Sequence, residues 1–453
     1  MAESTNTIQK EIQDREAKEK RELRRKRRRR NQILAILTLL LFVCLIVAII
    51  GTGVWYIMHR GAGKTVGGGA ATTEETTIDN LFESEDEIVK PEETNTEPAL
   101  TPEQQLDAIL DEAFISQMPL EDKVAGLFIV TPESITGVSK AVKAGDGTKD
   151  ALNKYAVGGI VYASQNMQDA AQFTEMVSNT TLYSRYALFT CVAEEGGSST
   201  SLEKAGLADK TDSEQAMGTG ADAAKAYEAS GKIADSMLTY GLNLNFAPVA
   251  DLATVQDSYL KDASYGSDAA LAASFVTSAV QGMQEKGISS CLKYFPGAAD
   301  MKEDPAKGMA SSERTAEQLA AEEFTVFKAG IDAGVDMVMV GHVAVPALTG
   351  DNTPCSLSSA VITDKLRNEL GFNGVIITDA MNKGAITEYY EADEAAILAL
   401  KAGCDMILCP DDFEKAYNGV LEAVQNGTIS EERINDSLRR IYRIKYASMM
   451  PEE

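Results

Sequence analysis

Histidine is nearly missing from this chain of 453 residues, where His59 and His342 are the only two. That scarcity excludes a metal centre built from several imidazoles. Cysteine is almost as sparse. Setting aside Cys44 in an apolar run leaves Cys191, Cys291, Cys355, Cys404 and Cys409, an odd set without clustered spacing. It supplies neither a disulfide framework nor a zinc site, and four of the five lie in or beside apolar runs where a thiol packs as a small hydrophobe. No GxGxxG or GxxxxGK[ST] turn follows a strand-like run, so no nucleotide site is implied, and no cofactor or metal is expected. Positive charge is also short: 42 Lys and Arg face 68 Asp and Glu, a formal charge of −26. Residues 1–30 hold 12 basic and 6 acidic residues, which leaves −32 on the rest of the chain. Such a surplus argues against nucleic acid or anionic polymers as partners and favours solubility.

What is present begins with the run Arg24 to Arg30, which stops where the chain turns apolar. From Ile33 to Met58 there is no charged residue. About 20 helical residues cross a hydrocarbon core of ~30 Å, so residues 31–58 are expected to form a transmembrane helix. The basic cluster before it places residues 1–30 in the cytoplasm and everything after His59 outside, a single-pass protein of the cell membrane. A cleaved signal peptide is the competing reading. Its apolar region would be shorter, and small residues suited to cleavage come only at Gly61-Ala62-Gly63 and Gly67 to Ala71, so an uncleaved anchor is favoured. Residues 59–101 are rich in Gly, Thr, Glu and Pro with few large apolar side chains, a composition that predicts a disordered acidic tether.

Residues 102–453 read as one domain. After an amphipathic helix near Glu103 to Phe114, apolar runs recur at 126–130, 159–162, 187–192, 242–246, 289–292, 337–340, 375–378 and 406–409. Helical patterns separate them, among them 221–238, 268–286, 315–332, 358–370 and 391–402. Near-continuous apolar strands alternating with helices predict a parallel sheet covered on its outer face. Eight such units over this length fit an α/β fold of the (β/α)8 barrel type, with an open doubly wound sheet the weaker alternative.

Barrels of this type carry their chemistry at the carboxyl ends of the strands. The polar residues expected there are Glu194 and Glu195 after the third strand, Asp251 after the fourth, Lys293 after the fifth, His342 after the sixth and Asp379 after the seventh. Tyr294 follows Lys293, and Pro296-Gly297 then breaks the backbone into a loop. Lys293 and Asp379 are expected to face one another across one pocket.

Two stretches, Cys291-Leu-Lys-Tyr-Phe-Pro-Gly-Ala-Ala-Asp300 and Gly371-Phe-Asn-Gly-Val-Ile-Ile-Thr-Asp379, resemble the family 3 glycoside hydrolases, most closely the single-domain β-N-acetylglucosaminidase branch. There the first stretch usually reads Lys-His-Phe-Pro-Gly-His-Gly-Asp, then Asp-Ser-His, and the second Gly-Phe-x-Gly-x-x-x-(Ser/Thr)-Asp. The similarity continues through Glu194 to Gly197, Gly241 to Asp251 and Ser264 to Asp268, covering roughly Leu106 to Tyr446. It implies retaining hydrolysis of β-N-acetylhexosaminides in cell-wall or other glycans, with Asp379 at the nucleophile position. Lys293 would bond sugar hydroxyls, with Tyr294, Glu195, Asp251 and His342 as further substrate-binding positions.

The resemblance also marks what has changed. The branch's acid/base is a histidine oriented by an aspartate two residues before it; here Asp304 remains and Ala306 stands in the histidine's place. The third-strand Asp-Gln-Glu-Gly-Gly-Arg motif has Ala193 for its aspartate and Ser198 for its arginine. Ala263 replaces an arginine, and Tyr294 and Ala298 replace two histidines. Three readings stand open: a glycosidase with an altered site in which Glu303 or Asp304 serves as acid, a pseudoenzyme binding a glycan or a protein partner, and a structural ectodomain.

Overall fold

The computed structural model describes residues 102–447 except Ala299. The basic tail 1–30, the expected span 31–58 and the tether 59–101 lie outside the described residues. Among the described residues no helix is long and apolar enough to cross a membrane.

Eight parallel strands close into a barrel in sequence order: β1 (Phe128–Val130), β2 (Gly159–Val161), β3 (Phe189–Val192), β4 (Leu244–Asn245), β5 (Ser289–Phe295), β6 (Met337–Val340), β7 (Val375–Ala380) and β8 (Met406–Leu408). β8 returns to β1 with Phe128 beside Ile407, which removes the exposed edges that an open sheet would keep. Helices cover the outer face, so a strand such as Met337–Val340 is buried on both sides and reads as unbroken hydrophobe. The five described cysteines are unpaired, four of them buried among this apolar packing and Cys409 partly so.

β1, β3 and β4 start two residues inside the apolar runs that mark them, because those runs begin in the preceding turn. β5 goes the other way and includes Lys293 and Tyr294. Its extension has partners: Lys293 pairs with Val249 in a parallel bridge and its carbonyl accepts from the Ala250 N–H at 2.7 Å, while the Phe295 carbonyl accepts from Gly341 N–H at 2.8 Å. Pro296, with no N–H to donate, follows the last strand residue. The segment read as one helix over 315–332 is two, Ala316–Ala321 and Glu323–Asp332, joined at Glu322. Phe295 at the end of β5 stacks on Phe324 at 5.3 Å and meets Phe327 edge-on at 5.2 Å, so the second of these helices holds the strand end that carries the site.

Candidate active site

A cavity of about 270 Å³ opens at the carboxyl ends of the strands. Glu195, Tyr294, Asp304, Ala306, His342 and Asp379 all line it, although they come from the ends of β3, β5, β6 and β7 and from the loop after β5. Lys293 and Asp251 are not among its lining residues; Lys293 pairs with Glu195 and Asp379 with Lys383, both pairs beside Tyr294.

Asp379 lies in β7 one residue before its end, after the fully buried Val375 to Thr378. Its Oδ1 accepts from the Ala380 N–H at 2.7 Å, and its Oδ2 accepts from the ammonium of Lys383 at 2.6 Å. Burial alone would raise its pKa; the Lys383 charge and these hydrogen bonds outweigh burial and hold the carboxyl below its usual range. Asp379 is thus an ionised carboxylate with a cation already on it. Lys383 is the more exposed of the two, 26% against 8%, and itself lines the cavity.

Lys293 is buried and ion-pairs with Glu195, which supplies the lining. Burial disfavours its charge, but Glu195 more than compensates and the lysine pKa is raised. The ammoniums of Lys293 and Lys383 lie 5.4 and 5.3 Å from the Tyr294 ring centroid, distances at which cation–π attraction acts. A buried and a half-buried ion pair thus share one aromatic ring.

His342 is locked. A carbonyl can only accept, so Nε2, 3.0 Å from the Ala380 carbonyl, carries the proton; Nδ1 then accepts from the Ser356 hydroxyl at 2.7 Å. Burial depresses its pKa, in keeping with a neutral ring whose two nitrogens are both engaged. It therefore braces the end of β7 and has no free nitrogen for proton transfer. Asp251, 1% exposed, accepts the Ala298 N–H on both oxygens at 2.8 and 3.0 Å. It pins the start of the loop after β5. Burial raises its pKa well above the ordinary aspartate value.

That loop returns over the cavity through a short turn, Pro305–Lys307, whose Ala306 N–H is capped by Asp304 at 2.9 Å. Glu303 is exposed and does not line the cavity. Among the described lining residues no imidazole is available as a proton donor, and Asp304 is committed in part to its own turn. The loop sits close against the next one: a Cβ on Gly384 would lie 2.8 Å from Gly308 N and 2.9 Å from the Lys307 carbonyl carbon.

Sequence reasoning missed Lys383, Tyr259 and the close packing at Gly384. Lys383 had only a weak signal, a lysine in the turn that directly follows the strand carrying Asp379. Tyr259, a lining residue on the long connection after β4, has no such signal.

Residues 119–444 match the model of the glycosyl hydrolase family 3 N-terminal domain. The chain belongs to glycosyl hydrolase family 3. It is 30% identical over 284 residues to a β-hexosaminidase of Stenotrophomonas maltophilia, covering 60% of this chain and 82% of that one. Among solved structures it is similar to a family 3 β-N-acetylglucosaminidase from Paenibacillus, with a TM-score of 0.69 and 32% identity, spanning 74% of this chain and 64% of that one. It is also similar to a β-N-acetylhexosaminidase from Beutenbergia cavernae, with a TM-score of 0.65 and 25% identity over 73% of this chain and 99% of the other. These relatives are family 3 β-hexosaminidases and β-N-acetylglucosaminidases, and the chain is similar to them across its barrel.

Proposed function

We propose that this protein is a membrane-anchored, extracytoplasmic family 3 barrel that recognises a β-linked N-acetylhexosaminide of cell-wall or other glycans and hydrolyses unactivated glycosides very slowly or not at all. The observation that carries the reading is the Lys383 ammonium 2.6 Å from Asp379. Retaining hydrolysis needs a free carboxylate to attack the anomeric carbon and a second group, across the sugar, to protonate the departing oxygen. Here the carboxylate is occupied, and Ala306 and a locked His342 leave the second role without an imidazole. Lys383 cannot fill it, because it stands on the nucleophile's own side and Asp379 raises its pKa against burial. Absence of a general acid costs roughly 10²- to 10⁴-fold.

Recognition is better supplied. Tyr259 and Tyr294 offer aromatic faces, and Glu195, Asp304 and Lys383 offer polar partners in a cavity of monosaccharide dimensions. A second reading, slow turnover of substrates with good leaving groups, is favoured by the ionised state of Asp379, since an aryloxide departs with little acid assistance. Membrane attachment rests on the uncharged run Ile33 to Met58 behind Arg24 to Arg30.

The test compares the full-length chain with Ala306→His and Asp379→Asn on an aryl N-acetyl-β-glucosaminide and on an unactivated N-acetylglucosamine disaccharide, with saccharide binding measured alongside. The expected result is binding, slow aryl glycoside turnover lost in Asp379→Asn, and a gain on the disaccharide in Ala306→His. Robust wild-type hydrolysis of the disaccharide would overturn the proposal.

A further inference from the structure

Between β4 and the helix Ala269–Gln284 the chain makes a long connection that contributes Tyr259 to the rim cavity. Its neighbour fixes it locally. Leu260, 5% exposed, places its N–H on the Ser258 hydroxyl at 3.2 Å, and its carbonyl accepts from the Ala263 and Ser264 N–H groups, both at 2.9 Å. The Tyr259 side chain is half-buried, and its hydroxyl has no hydrogen-bond partner among the described residues. A phenol is both donor and acceptor, so the cavity holds one O–H that the protein itself leaves unspent.

The other lining donors are engaged or stand elsewhere. Lys383 is bonded to Asp379, and His342 Nε2–H to the Ala380 carbonyl. Tyr294 lies beside Lys383, its ring centroid 5.3 Å from that ammonium, and so belongs to the Asp379 side of the cavity. Tyr259 comes from farther round the rim: in the closed barrel β4 is three strands from β7, which carries Asp379. Its connection is tied to the loop after β5 by Lys302 and Asp257 at 3.9 Å, and the phenol lines the cavity together with Asp304 and Ala306 of that loop. Burial raises the Tyr259 pKa well above its ordinary value, with Asp251, Tyr294, Asp379 and Asp304 adding to the effect, so the O–H keeps its proton across the neutral range.

We infer that Tyr259 is the donor to the departing glycosidic oxygen when Asp379 attacks the anomeric carbon, an assignment that rests on the proposed recognition of a β-hexosaminide in this cavity. As the bond from Asp379 to the anomeric carbon forms, the bond to the departing oxygen breaks and its electron pair stays on that oxygen. The phenolic proton passes to it, so an alcohol leaves and Tyr259 becomes a phenolate. Water then attacks the glycosyl ester, frees Asp379 and returns a proton to Tyr259. A phenolate among three aspartates is costly, which makes this a weak acid and the turnover of poor leaving groups slow. An aryloxide of low basicity draws little on it.

The experiment compares the full-length chain with Tyr259→Phe on phenyl and dinitrophenyl N-acetyl-β-glucosaminides, with saccharide binding measured alongside. The ratio of kcat/KM for the dinitrophenyl over the phenyl substrate should rise about tenfold in Tyr259→Phe, the loss of one charge-assisted hydrogen bond. Effects on binding common to both substrates cancel in that ratio. Tyr294→Phe should not raise it. The wild type should show a larger solvent isotope effect on the phenyl than on the dinitrophenyl substrate, and this decides the matter if Tyr259→Phe does not fold. An unchanged ratio in Tyr259→Phe, an equal rise in Tyr294→Phe, equal isotope effects, or saccharide binding without phenyl glycoside turnover would each overturn the assignment and leave the recognition reading standing. Absence of saccharide binding by the wild type would overturn both.

Discussion

Lys383 reaches back over one turn to Asp379, its ammonium 2.6 Å from Oδ2, and in doing so occupies the carboxylate that a retaining glycosidase would turn on its substrate. The lysine also rests 5.3 Å from the Tyr294 ring centroid, so two contacts hold it in place.

Removing that cation should free the carboxylate. Lys383→Met is expected to raise turnover of an activated aryl glycoside about tenfold, the worth of one charge-assisted hydrogen bond. Burial would then act on Asp379 against only the Ala380 N–H bond and His342, and its pKa should rise, so the acid limb of the rate profile should move to higher pH. Steady-state kinetics from pH 4 to 8 on both proteins would check this. An unchanged rate and limb would mean that Lys383 does not restrain Asp379.

Gly384 lets the turn at Ala306 close beside β7. Gly384→Ala puts a methyl group 2.8 Å from Gly308 N, where backbone has to give way. A destabilisation of about 1–3 kcal/mol is expected, as for an overpacked contact, together with weaker saccharide binding because Asp304 and Ala306 shift. Thermal melts and a binding titration test it; retention of both properties would show that the two loops are not tightly engaged.

Lys445 has a buried ammonium with no hydrogen-bond partner, 4.7 Å from the Phe189 ring centroid and 4.9 Å from that of Tyr442. Burial lowers its pKa to about 7, and the two rings offset only part of the cost of charging it. The unfolded lysine therefore holds a proton that the folded one releases between pH 7 and 10.5, so this group's contribution to stability rises with pH through that window. Lys445→Met should stabilise the protein most below pH 7, by about 2 kcal/mol, with the gain shrinking toward pH 10. Melting curves at pH 6 and 9 decide; a loss of stability at pH 6 would show that the rings dominate.

On the proposed topology, with Arg24 to Arg30 preceding a span over Ile33 to Met58, the barrel is expected outside the cell. Protease added to intact protoplasts should cut within 61–101 and release the barrel, with the N-terminal tail protected. Protection of the barrel with loss of the tail would reverse the orientation.

The eight strands and their alternation with helices were legible because a strand buried on both faces must be continuously apolar, and each such run stands out between polar helical surfaces. The positions of Asp379 and Glu195 at strand ends were legible for the same reason: a charge that closes an apolar run can only sit at the rim. Which charges meet across the rim was not. Strand periodicity tells which way a side chain leaves the backbone, but not what stands opposite, and that depends on shear and loop path. The partner of Lys293 is Glu195, and Asp251 accepts from the Ala298 N–H at the start of the loop after β5. The partner of Asp379 came from the turn after its own strand, and only the fold, by bringing Tyr294 against Lys383, decided that the lysine would turn inward. Sequence by itself therefore determined the barrel and the positions of its rim residues; the tertiary structure decided which of them are free, because ion pairing in a buried site is settled by distances of a few ångströms between residues far apart in the chain.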